Sequence, residues 1–163
     1  MSALSHLECA KSCGHGPIDP TAIQHLCSCG SPLLARYDFS SLNKPWSNDS
    51  LTERQPTLWR YREALPPPGL QGPVTLGEGF TPLLHAPRLG ERFGMDQLFI
   101  KDESVNPTNS FKARGLSVAV TVARRLGAEV LSVPSAGNAA DALAAYARRA
   151  GLQAKVFMPK DVK

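Results

Sequence analysis

A chain of 163 residues, 42% of them hydrophobic and 7% aromatic, carries enough apolar material for the core of about one domain. The formal charge of +4 is dispersed, with no Lys/Arg block, which argues against nucleic acid as a partner and is compatible with an anionic small substrate. No apolar run is long enough to span a membrane, and the N-terminus lacks a basic stretch leading into an apolar one; a cytoplasmic location without a membrane partner is expected.

All four cysteines fall early, as Cys9-x3-Cys13 and Cys27-x-Cys29. In a reducing compartment such clustering points to metal before disulfide. Gly14 and Gly30 follow the second member of each pair and suit knuckle turns, in which backbone N–H groups approach sulfur. This is the layout of a zinc ribbon, although ideal ribbons use Cys-x2-Cys at both tips. One pair is a residue too long and the other a residue too short, so a four-thiolate zinc site and a ribbon without metal both stay open. His6, His15 and His25 are either substitute ligands or ordinary surface residues. Residues 1–38 are read as a zinc-ribbon-like segment.

Ser40 to Pro56 is polar and turn-rich, with apolar islands at Trp46 and at Leu58-Trp59-Arg60-Tyr61, and 39–72 reads as an extended arm with a helical turn near Trp59 that docks by packing, ligand binding by the Trp-Arg-Tyr cluster being the alternative. The Pro66-Pro67-Pro68-Gly69 run enforces extended or turn backbone. In Gly77-Glu78-Gly79-Phe80-Thr81-Pro82-Leu83, glycines flanking a glutamate predict a tight loop passing close to another part of the fold. Pro87 to Phe93 predicts a short helix ended by Gly94.

From Gln97 the periodicity is regular. Leu98-Phe99-Ile100 reads as a strand and Lys112 to Leu126 as a helix, with Leu116, Ala119, Val120, Ala123 and Leu126 near one face. Glu129 to Val133 is the next strand, Gly137 to Arg149 the next helix, and Gln153 to Met158 a third strand. The expected architecture is α/β, with the three strands paired in parallel. Ligands of open parallel sheets bind beyond the carboxyl ends of strands, which places the loops 101–111 and 134–138 on one side.

Within the first loop, Pro107 pushes Asn106 out of the α region, and Asn109 or Ser110 can cap the following helix. Lys112 then falls in a first helical turn, where the helix dipole opposes an ammonium. A Schiff base with an aldehyde consumes a neutral amine, so this position admits covalent chemistry, with a solvated surface lysine as the alternative. In the second loop, Ser135, Ala136, Gly137 and Asn138 sit where a helix begins. Open backbone N–H groups there can receive an anion, and Asn138 offers an amide that both donates and accepts. Plain helix capping by Ser135 is the alternative.

The segment Lys101 to Gly115, KDESVNPTNSFKARG, resembles the lysine motif of fold-type II pyridoxal-phosphate enzymes, the tryptophan synthase β family, and most of all that of threonine synthases. Asn109 stands where glycine is usual, and Ala113 where aspartate is common. The Gly-Glu-Gly phrase, the loop Ser135 to Asn138 and Val156-Phe157-Met158-Pro159 resemble the same family, as does Cys27 to Leu34 of its N-terminal segment. The resemblance implies that Lys112 holds pyridoxal 5'-phosphate covalently. It implies that Asn138 contacts the cofactor's 3'-oxygen and that Ser135, Ala136, Gly137 and Asn138 hold the substrate carboxylate. For the cysteine segment it implies a structural role away from the chemistry; structural zinc on Cys9, Cys13, Cys27 and Cys29 remains one of the two readings of their spacing, and a homodimer is expected of a full-length protein.

Under that resemblance residues 73–163 form an N-terminal part of the catalytic α/β domain, incomplete, because no glycine-rich loop for the cofactor phosphate occurs in them. A larger protein is expected, the chain alone is expected to be inactive, and a parallel sheet ending at its third strand should leave apolar surface uncovered. The implied reaction is that of threonine synthase: O-phospho-L-homoserine and water give L-threonine and phosphate. A serine/threonine dehydratase, a sulfhydrylase or a non-catalytic binding protein are the alternatives.

Overall fold

The computed structural model describes residues 2–42, 46–67, 69 and 71–162. Pro68 of the proline run therefore lies outside the described residues.

Strand β1 (Leu4–Cys9) pairs antiparallel with β2 (Leu33–Tyr37), and Leu7 forms a further bridge to Ile18. Along the arm, Ser47 and Ser50 close a capping box at the start of α1 (Asn48–Thr52), a helix that composition alone did not announce. A 3-10 helix over Leu58–Ala64 realises the expected turn near Trp59. Trp59 is buried there, and its indole N–H donates to the Ser117 hydroxyl at 2.9 Å, so this apolar island does pack.

Strand β3 (Leu83–His85) precedes α2 (Pro87–Phe93), which starts on its proline and ends at Gly94 with φ 65°. Strand β4 (Phe99–Lys101) pairs antiparallel with β3. The remaining elements follow as α3 (Lys112–Arg125), β5 (Val130–Pro134), α4 (Asn138–Ala150) and β6 (Gln153–Phe157). Strands β5 and β6 pair in parallel through the α4 crossover.

The architecture is α/β with mixed pairing, which corrects the expectation of three parallel strands. Strand β4 finds its partner in Leu83–His85, a segment masked in the sequence by the Thr-Pro turn before it. Apolar surface is nevertheless left uncovered, with Leu83, Leu84, Phe99, Ile100, Phe157 and Met158 exposed.

The core joins α3 and α4: Val74, Ala113, Val120, Ala142, Leu143 and Tyr146 are buried together. Alanines at 113, 142 and 147 are fully buried, which lets the helices approach closely. The buried face of α3 runs through Ala113, Ser117, Val120 and Thr121, whereas Ala119 is exposed. The expected face was rotated because Ser117 and Thr121 are polar yet buried. Thr121 accepts from the Val74 N–H at 2.8 Å, and Ser117 binds the Gly-Glu-Gly loop. Ala119, Ala123 and Leu126 instead line a cavity of about 900 Å³ shared with Leu4, Leu7 and Ile23.

Candidate functional site

The Gly-Glu-Gly loop and the lysine loop are locked together. Gly79 holds φ 100°, and a Cβ on it would lie 2.6 Å from the Leu58 nitrogen, so the close approach expected of this loop is real. Its N–H donates to Asn106 Oδ1 at 3.0 Å, while the Asn106 amide donates to Glu103 Oε2 at 2.8 Å. Glu103 also accepts from Thr81 Oγ1 at 2.6 Å and takes both arms of Arg114, at 2.6 and 2.8 Å. This planar pairing is the strong form of a charged hydrogen bond, and it holds the Glu103 carboxyl down at about 2.

Thr108 and Asn109 follow with φ 61° and 52°, two successive left-handed residues without a glycine. Asparagine is the side chain that best tolerates this region, so Asn109 can stand at a glycine position. The Thr108 hydroxyl is buried without a partner. Strain of this kind is retained where the surroundings over-determine it.

Ser110, buried, accepts from the Lys112 N–H at 3.3 Å just ahead of α3, but the capping position is Phe111 and not Asn109 or Ser110 as expected, because the helical backbone starts only after Ser110. Lys112 is the first residue of that helix and half-buried, with Nζ 4.6 Å from the centroid of the Phe111 ring. Its cationic neighbours are committed elsewhere: Lys101 Nζ donates to the Thr81 carbonyl and Arg114 to Glu103. Among the described residues no carboxylate pairs with Lys112.

Strand β4 does not share a sheet with β5 and β6, so one strand edge does not gather the two loops as expected. Contact arises otherwise: the 107–109 turn lies against α4, whose first residue is Asn138. In the second loop the Ser135 N–H is spent on the Phe157 carbonyl at 3.0 Å, and the Gly137 N–H on Ser135 Oγ at 3.2 Å. The Ala136 and Asn138 N–H groups have no acceptor among the described residues. Space beside Gly137 is open. The side-chain amide of Asn138 is exposed and caps nothing.

A half-buried amine without a carboxylate partner and open N–H groups at the start of α4 suit a group carrying both an aldehyde and anionic oxygens. A pyridoxal-phosphate dependent enzyme family model matches residues 74–163. The chain belongs to this family. It is 39% identical over 142 residues to a threonine synthase of Methanocaldococcus jannaschii, covering 87% of this chain and 35% of that protein. Against a threonine synthase of Methanosarcina acetivorans it is 38% identical over 154 residues, 94% of this chain and 37% of the relative. A threonine synthase of Synechocystis shares 47% over 100 residues, 61% of this chain and 26% of the relative. The chain thus spans about a third of the length of the first two. No helix among the described residues is long and apolar enough to cross a membrane.

The cysteines converge as well. Cys9, Cys13, Cys27 and Cys29 place their sulfurs within 4.8 Å of one another, with Cys13 3.3 Å from Cys9 and 3.5 Å from Cys27. Gly14 and Gly30 hold φ 83° and 79°. The N–H groups of Cys13 and Lys11 hold the Cys9 thiol below its ordinary value, and Ser31 holds Cys29 down at about 6. Four sulfurs about 2.3 Å from one zinc would stand about 3.8 Å apart, so the donor set and its spacing fit a tetrahedral thiolate site.

Sequence reasoning missed Glu78 as a hub. The loop was legible, but its carboxylate is fully buried and meets Ser117, Tyr146 and Thr75. Ser117 and Thr121, one turn apart on an otherwise apolar face of α3, were the available signal.

Proposed function

We propose that the chain is the lysine-bearing part of a threonine synthase, which converts O-phospho-L-homoserine and water to L-threonine and phosphate. The observation that carries this reading is the similarity to threonine synthases across both the cysteine segment and the lysine loop, at 38% identity over 94% of the chain. Lys112 is the residue that holds pyridoxal phosphate, and Asn138 the side chain that steadies it. Bound there, the cofactor supplies an electron-accepting ring that stabilises carbanion charge on the substrate.

The residues of the chain divide the rest of the work. Lys112 Nζ takes the proton from the substrate α-carbon and returns protons to later carbons, a role that needs an amine not held in an ion pair. The Ala136 and Asn138 N–H groups receive the substrate carboxylate at the start of α4, and Ser135 shapes that loop by accepting from Gly137. The Glu103–Arg114 pair and Asn106 fix the loop that aims Lys112. We extend the reading to domain organisation: 1–38 as a zinc-ribbon-like segment, 39–72 as an arm, 73–163 as catalytic α/β structure. Cys9, Cys13, Cys27 and Cys29 hold one structural zinc.

The test is threonine formation from O-phospho-L-homoserine by the protein that contains this segment, with serine and threonine deamination and sulfide addition assayed in parallel. Preference for O-phospho-L-homoserine by orders of magnitude is expected; preference for another substrate overturns the reading. Zinc at about one per chain after purification without chelator supports the cysteine assignment, and none after reconstitution under reducing conditions removes it.

A further inference from the structure

We propose that His15 belongs to the metal site as a hydrogen-bond donor to its sulfurs, oriented by Ser28. The inference rests on the reading of the four cysteines as a zinc site. His15 Nδ1 lies 2.9 Å from Cys13 Sγ and 3.7 Å from Cys27 Sγ, so one ring edge faces a thiol from each cysteine pair. The opposite ring nitrogen, Nε2, is 2.8 Å from Ser28 Oγ.

A zinc-bound thiolate has no proton to give, so the neutral imidazole meets these sulfurs with its N–H on Nδ1. If the Ser28 hydroxyl donates to Nε2, the ring proton resides on Nδ1 and points at sulfur. Ser28 is the single residue between Cys27 and Cys29, so the residue that orients the ring rides on the second cysteine pair. Gly14, with φ 83°, turns the chain between Cys13 and His15 and brings the imidazole back over the thiol two residues before it.

The chemistry calls for such a donor. A divalent zinc held by four thiolates carries a net charge of about −2, localised on the sulfurs. Each N–H aimed at a sulfur offsets part of that charge and fixes its lone-pair direction. Cys13 and Cys29 are exposed, so their sulfurs are the ones water and chelators can reach. His15 stands against the exposed Cys13, and its N–H slows exchange of that ligand. Groups of this outer layer change metal affinity by about 10–100-fold when removed.

The test uses the protein that contains this segment, loaded with zinc under reducing conditions. Zinc transfer to a colorimetric chelator is followed for wild type, His15→Ala, His15→Asn and Ser28→Ala. In His15→Asn the side-chain amide nitrogen can stand near the place of Nδ1. We expect His15→Ala to release zinc about 10-fold faster or more, Ser28→Ala to release it at an intermediate rate, and His15→Asn to restore most of the wild-type rate. The cobalt(II) form of His15→Ala should keep the sulfur-to-cobalt absorption intensity of wild type, because all four thiolates remain ligands. Loss of that intensity in His15→Ala makes His15 a direct ligand and overturns the donor role. A wild-type release rate in His15→Ala overturns the proposal while leaving the zinc site standing. Failure of the wild-type chain to bind zinc or cobalt overturns both.

Discussion

The Tyr146 hydroxyl donates to Glu78 Oε2 at 2.6 Å, deep between α3 and α4. Ser117 Oγ stands 2.5 Å from the other carboxylate oxygen, and the Leu76 N–H donates to Oε2 at 3.0 Å. Burial pushes the Glu78 carboxyl up, but these donors outweigh it and hold it below the usual carboxylate value. Both helices begin at a proposed contact of the cofactor or substrate, Lys112 on α3 and Asn138 on α4. Glu78 thus fixes their relative placement from inside.

Removing one donor from this carboxylate should be costly. Tyr146→Phe is expected to lose about 1.5–3 kcal/mol, the range for hydrogen bonds to charged groups. Glu78→Gln should lose a similar amount, because its amide keeps one acceptor oxygen toward Tyr146 and Leu76 only by turning its N–H groups on Ser117 Oγ, and it gives up the charge of the hydrogen bonds. The double variant should cost less than the sum, with a coupling of about 0.5–3 kcal/mol. Urea unfolding with an unchanged slope reads all three. Full additivity would show that the two groups do not act together.

The Glu103–Arg114 pair predicts an acid limit. The Arg114 guanidinium holds the Glu103 carboxyl at about 2 against an ordinary 4.5. Glu63 also sits at about 2, because Arg54 and Trp46 outweigh the upward push of burial. A carboxyl depressed by folding contributes its stability in full above its unfolded value and loses it as pH falls through the folded one. Urea midpoints should therefore fall between about pH 4.5 and pH 2, and Glu103→Gln should flatten part of that slope. A midpoint unchanged across that window would refute the assignment.

Asn109, at φ 52°, predicts an asymmetric substitution pattern. Asn109→Gly should be close to neutral, whereas Asn109→Val should lose about 1–2 kcal/mol, the left-handed penalty for an ordinary side chain. Gly79→Ala should be worse than either, because its Cβ would meet the Leu58 backbone. Thermal midpoints give the order, and equal values for glycine and valine at position 109 would contradict the strain argument.

What the sequence made legible follows from local physics. Proline and glycine fixed the ends of α2, and helical periodicity located α3 and α4 within a residue or two. The knuckle glycines announced the cysteine cluster. The partner of β4 was not legible, because β3 has three residues and pairing is non-local. The buried face of α3 was misjudged because Ser117 and Thr121 read as polar until Glu78 and the Val74 N–H supply their partners. Glu78 itself looked like a loop carboxylate.

The central claim is that Lys112 carries the cofactor in the protein that contains this segment. Borohydride reduction of the cofactor-saturated protein followed by peptide mapping fixes the label on whichever lysine holds it. Label is expected on Lys112, with retention of that label and of the bound-cofactor visible absorbance in Lys101→Ala and loss of both in Lys112→Ala. Label on Lys101, Lys155 or any other lysine would contradict the assignment, and no label at saturation would contradict the proposed covalent role itself.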